Sequence, residues 1–138
     1  MGPEQPRPFP GAGAVLLHTR EAPAAALARL AAVARKQGYA VDTLSDVRFA
    51  TAPRTYEFPK GGAVTRAVYR FAADAAPEGP GAVLTLAGTY RVLRETPSGE
   101  EPMAYGGART SQGAACFGQA QRLVFGYRWG KVGYQAQP

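Results

Sequence analysis

The sequence contains no isoleucine and no asparagine, and its basic residues are 13 arginines against 3 lysines. Those scarce residues have AT-rich codons, so the pattern reads as a GC-rich, bacterial genome. Part of the arginine content is then a codon effect, which weakens any functional reading of the charge. Cysteine occurs once, as Cys116, and excludes an internal disulfide. Histidine occurs once, as His18, so one chain lacks the four Cys/His ligands that a structural zinc site needs. No apolar run approaches the ~18 residues of a membrane-spanning helix. The opening MGPEQPRPFP has no apolar signal core. As it stands the chain reads as cytoplasmic. A leader removed earlier would make it an envelope or secreted protein.

What is present fits a folded domain. The chain has 138 residues, enough for one domain with an ordinary core, and 46% are hydrophobic. The formal net charge is +6. A basic balance can serve nucleic acid, anionic lipid or an acidic partner. Here the cations are dispersed with no Lys/Arg-rich run, which favours a solvated surface over a nucleic-acid footprint.

The stretch from Ala63 to Glu95 organises the rest. In its first run Thr65, Ala67, Tyr69 and Phe71 share one parity, and Val64, Arg66, Val68 and Arg70 the other. In Val83–Arg94, Leu84, Leu86, Gly88, Tyr90 and Val92 share a face opposite Thr85, Ala87, Thr89 and Arg91. Alternate strand residues point to opposite faces, so each run offers one apolar and one mixed face. The connector AAPEGPG between them makes the pair an antiparallel hairpin.

The other elements follow in order. Residues 1–13 hold four prolines and read as an extended or disordered lead-in. Ala14–Thr19 is a first strand. Glu21–Gln37 is the clearest helix, with Pro23 in its first turn and Arg35 and Lys36 in its last. Its apolar stripe runs through Leu27, Leu30, Ala31 and Ala34, and Gly38 suits the position after the helix. A strand is expected near Ser45–Thr51, interrupted by Pro53 and continued by residues 54–58. A polar loop follows Glu95. Cys116, Ala120, Leu123, Val124 and Tyr127 form a helical stripe that places a helix near Ser111–Arg128, capped by Thr110 or Ser111. Residues 131–138 read as a flexible tail after a single domain over 14–130.

The order β-α-β-β-β-α gives an α+β fold, with an antiparallel sheet of about four strands packed against helices. In topology it resembles a helix-grip sandwich, in which a long C-terminal helix lies across a curled sheet.

The chemical candidates are few. Cys116 with His18 would make a nucleophilic dyad, but free cysteine is usually core and GAACFGQ is no nucleophile signature. Residues 106–108, GGA, before TSQG could hold an anion at a helix start, though any glycine-rich helix entry looks alike. The carboxylates are scattered, without DxD, HExxH or EF-hand spacing. The constellation with most content is Arg66, Arg70 and Arg91 beside Tyr90, as a ligand- or anion-binding face. Arginines with aromatics could stack bases, yet Tyr69 and Phe71 take the parity opposite to Arg66 and Arg70. No cofactor and no metal is implied. The sequence is read as a non-enzymatic binding or accessory module, taking a partner protein or a small apolar ligand between sheet and C-terminal helix. The alternative is a nucleic-acid or anion-binding domain using those arginines, and the third is a hydrolase-like enzyme without a recognisable motif.

Overall fold

The computed structural model describes residues 7–60, 62–93, 99–105 and 111–136. Among them the elements run β1 (Ala12–Thr19), α1 (Pro23–Lys36), β2 (Val41–Leu44), β3 (Arg48–Thr51), β4 (Arg54–Lys60), β5 (Ala63–Glu78), β6 (Gly81–Leu93), β7 (Glu101–Pro102), α2 (Ser111–Tyr127) and β8 (Gly130–Ala136). All strands join one antiparallel sheet of eight, in the order β2-β3-β5-β6-β1-β8. Strand β4 also pairs with β5, and β7 with β6. The α+β class is as expected, but the sheet has eight strands against the expected four or so. No helix among the described residues is long and apolar enough to cross a membrane.

The hairpin β5–β6 is the spine, with a register running from Arg66 opposite Leu93 to Glu78 opposite Gly81. It is longer than expected, because the strands continue through most of the connector and leave only Gly79-Pro80 as the turn. Pro77 is tolerated because β3 pairs with β5 only as far as Asp74, so no third strand needs its missing N–H. The parity argument holds: Ala67, Tyr69, Phe71 and Ala73 of β5 are buried with Leu84, Leu86, Tyr90 and Val92 of β6.

The extra strands have local causes. The expected strand over Ser45–Thr51 is shorter, as β3 from Arg48, and β2 precedes it, because Ser45 Oγ accepts the backbone N–H groups of Val47 at 3.3 Å and Arg48 at 3.1 Å and turns the chain between them. Pro53 breaks the ribbon as expected, and β3 and β4 both lie along the same edge of β5. The loop after residue 98 contributes β7. The expected flexible tail is instead β8 from residue 130 to 136, paired with β1 from Thr19–Gly130 to Ala12–Ala136. Its glycines suggested disorder, yet Gly133 faces Leu16 in the ladder and Tyr134 of the same strand is buried. At the other end the lead-in is shorter than expected. Phe9 packs on the core, and the Gly11 N–H donates to the Tyr105 carbonyl at 3.1 Å.

Both helices pack against each other and against the sheet. Helix α1 buries Ala26, Leu27, Leu30, Ala31 and Ala34, the stripe that its spacing defines. It ends at Gly38, whose φ of 95° suits only glycine. There the Gly38 N–H reaches the Arg35 carbonyl and the Tyr39 N–H reaches that of Ala34. These two bonds satisfy carbonyls that the helix end would otherwise leave open, and they deliver Tyr39 into the core. Helix α2 covers the span expected for it and buries Cys116, Phe117, Ala120, Leu123, Val124 and Tyr127. The proposed cap at Thr110 or Ser111 and the glycine nest at 106–108 lie outside the described residues and side chains.

Candidate binding cleft

A cleft lies at one end of the sheet, where β1, the β5–β6 turn and the α2–β8 junction meet. Its volume is about 690 Å³, and His18, Glu21, Glu78, Trp129 and Lys131 are among its lining residues. Glycines on both neighbours of β1 close its floor. A Cβ on Gly81 would fall 2.0 Å from the Thr19 carbonyl oxygen, and one on Gly130 would fall 2.4 Å from that of His18. Only glycine lets the two strands approach β1 this closely.

On one wall His18 Nδ1 lies 2.8 Å from Glu78 Oε1, a contact reaching from β1 to the tip of β5. The other wall is a buttress around Glu21. Arg29 holds this carboxylate with two bonds, Nε to Oε1 at 2.6 Å and a terminal nitrogen to Oε2 at 3.2 Å. The Tyr127 hydroxyl donates to the same Glu21 oxygen, and lies 3.2 Å from Thr19 Oγ1. The last residue of α2 is thereby tied to the ends of β1 and α1. Arg128 then takes a left-handed φ of 70°, a conformation that costs a non-glycine residue about 1–2 kcal/mol. The turn releases Trp129, which is 68% exposed, before Gly130 re-enters the sheet. Exposed Arg20 and Lys131 line the cleft with it, and exposed Arg128 precedes it in the chain. The site thus offers a presented indole, a His–Glu pair and a cationic rim.

The Glu21 network gives a pH prediction. Bonds from Arg29, and then from Tyr127, favour the ionised carboxylate and hold its pKa below the usual glutamate value, against a smaller effect of burial. Burial, chiefly, pushes the Tyr127 hydroxyl up to about 12, so it remains a donor at neutral pH. A carboxyl with a lower pKa folded than unfolded adds stability above its unfolded pKa, and loses it as pH falls through the folded value. Glu21→Gln is therefore expected to be less stable than the parent at neutral pH, with the difference shrinking in acid. Urea melts across that range measure it, and a difference that grows on acidification contradicts the assignment.

The dyad of Cys116 and His18 does not form. The Cys116 thiol points at the Thr89 carbonyl, 3.8 Å away, whereas His18 pairs across the ladder with Val83. Six residues of β6 separate those positions, roughly 20 Å. Cys116 has no exposed surface, and burial pushes its thiol up to about 12. It is expected to resist an aromatic disulfide reagent in native buffer at mildly alkaline pH and to react after denaturation. Stoichiometric labelling of the folded chain would contradict this.

The residues singled out from sequence are divided between faces. Arg66, Arg70 and Arg91 are exposed on the sheet face away from the helices, whereas Tyr90 is 2% exposed on the inner face and donates to Glu101 Oε2 at 3.1 Å. The structure therefore does not bring Tyr90 to the arginines. Two of the arginines meet carboxylates: Arg66 lies 3.3 Å from Glu57 on β4, and Arg70 lies 3.0 Å from Glu100. Arg48 does the same with Asp74 at 2.7 Å. Such exposed pairs add at most about 1 kcal/mol each, but they offset the charge of Arg48, Arg66 and Arg70. Sequence reasoning missed the cleft, because Glu78 fell in the assumed connector and Trp129 between the expected helix and the assumed tail. The signal that could have found it was the lone His and lone Trp, both beside strand ends. Among the described residues no group of three or more His, Cys, Asp or Glu side chains could hold a metal ion. No family model matches the chain, and no curated protein matches it.

Proposed function

We propose that the chain is a non-enzymatic binding domain that engages a partner protein at the Trp129 cleft. The observation that carries this reading is an indole presented to solvent on a braced frame. Tryptophan, tyrosine and arginine are enriched among the residues that dominate binding energy where proteins meet, and tryptophan brings a large, rigid apolar surface. An exposed tryptophan fixed by Tyr127–Glu21–Arg29 on one side and Gly130 on the other loses less freedom on binding than one on a loose loop. Phe125, also exposed, lies four residues before it. The partner's complementary surface is apolar at its centre with acidic groups opposite Arg20, Arg128 and Lys131.

A small apolar ligand between sheet and α2 is supported less. That interface is occupied by Phe117, Leu123 and Val124 with almost no exposed surface. The helix-grip likeness belongs to this reading only as the way α2 is laid on the sheet. A nucleic-acid role for the outer arginines is also supported less, since Arg66 and Arg70 each share a carboxylate. Co-purification from host cells tests the choice. A partner that binds the parent and the Arg66→Ala/Arg70→Ala variant, and is lost with Trp129→Ala, is the expected outcome. Retention by Trp129→Ala with loss in the arginine variant would overturn it.

A further inference from the structure

We infer that a second notch, between the end of α1, β4 and α2, binds a small molecule through an oxyanion, a carboxylate or a phosphate. It is distinct from the Trp129 cleft and does not rest on that reading. The notch has a volume of about 430 Å³ and is lined by Gln37, Arg54, Tyr56, Gln119 and Arg122. Two of these five are arginines and none is a carboxylate.

Arg54 packs against two aromatic rings. Its guanidinium carbon lies 4.7 Å from the ring centre of Tyr39 and 4.9 Å from that of Tyr56. Arg29, Arg48, Arg66 and Arg70 each have a carboxylate partner, whereas among the described residues Arg54 has none. Its one hydrogen bond goes from a terminal nitrogen to the Gln37 carbonyl at 2.9 Å, which leaves most of its five N–H donors for another acceptor. A guanidinium packed on two rings is partly desolvated and fixed in orientation. In that state its planar fork recognises an oxyanion with little ordering cost.

The surroundings point the same way. Gln37 Nε2 donates to the Arg122 carbonyl at 2.9 Å, which fixes α2 beside α1 and sets the Arg122 side chain at the rim. Arg35 and Lys36 occupy the last turn of α1 close by in sequence. The Tyr39 and Tyr56 hydroxyls are bonded to each other, and Gln119 Oε1 lies 3.5 Å from Tyr39 Oη. Polar groups thus converge on a cleft whose only charges are positive. Capping the α1 carbonyl is a structural task that Arg54 also performs, but that task alone needs neither Arg122 nor an acid-free lining.

Calorimetric titration of the full chain with citrate and with inorganic phosphate, at constant ionic strength set by chloride, tests the site. Saturable binding of at least one anion is expected, and the tighter of the two identifies the ligand class. Arg122→Gln keeps the backbone carbonyl that Gln37 uses and alters only an exposed side chain, so it should melt as the parent does. It is expected to weaken binding about tenfold. Arg54→Lys retains the charge without the fork and is expected to weaken it likewise. No saturable heat for either anion, or parental affinity in Arg122→Gln, would overturn the inference.

Discussion

Phe71→Ala is expected to destabilise the fold by about 3–5 kcal/mol, the range for removing a fully buried aromatic. Phe71 lies at the middle of the inner face. Tyr39 meets it edge-on at 5.7 Å and 82°, and Tyr69 meets it at 6.3 Å and 77°. Its partner across the hairpin is Gly88, and the ring fills the space that a side chain there would need. A Cβ on Gly88 would lie 2.7 Å from Phe71 Cδ1 and 3.0 Å from Met103 Sδ. The two positions are therefore coupled. Gly88→Ala should be costly in the parent and less costly once Phe71 is alanine. Denaturant melts of the two single variants and the double variant measure this, and strict additivity would contradict the packing described.

Leu30→Ala is expected to cost about 2–5 kcal/mol for the same reason on the other side of the core. Leu30 and Leu27 have no exposed surface and fix α1 over the sheet. Helix α1 also supplies Arg29 to the Glu21 buttress and Gln37 to the notch, so the loss reaches both sites. A thermal melt unchanged from the parent would contradict the assigned face.

These two core positions were legible in the sequence, because period is a local property. Alternation in residues 65–71 and 84–92 named the buried face of the hairpin, and the stripe of Leu27, Leu30 and Ala31 named that of α1. Strand number was not legible. Whether Lys131–Ala136 is a tail or a strand depends on β1 offering an open edge, which is a long-range fact. The Ser45 turn rests on a single side-chain oxygen, which no hydrophobic pattern reports. The arginine face was half legible. Parity placed Arg66, Arg70 and Arg91 outside, but Glu57 and Glu100 reach them from β4 and from the loop before β7. The cleft was least legible, because its residues come from three separate places in the chain. His18, Glu78, Tyr127 and Trp129 have nothing in common until the ends of β1, β5 and α2 meet.

Trp129 is the only tryptophan, so its fluorescence reports on the cleft without labelling. Acrylamide quenching of the free chain and of its complex with the captured partner is the most direct test of the binding role. The account predicts efficient quenching in the free chain and strong protection in the complex. A complex in which Trp129 is quenched as readily as in the free chain would place the partner elsewhere and contradict the account.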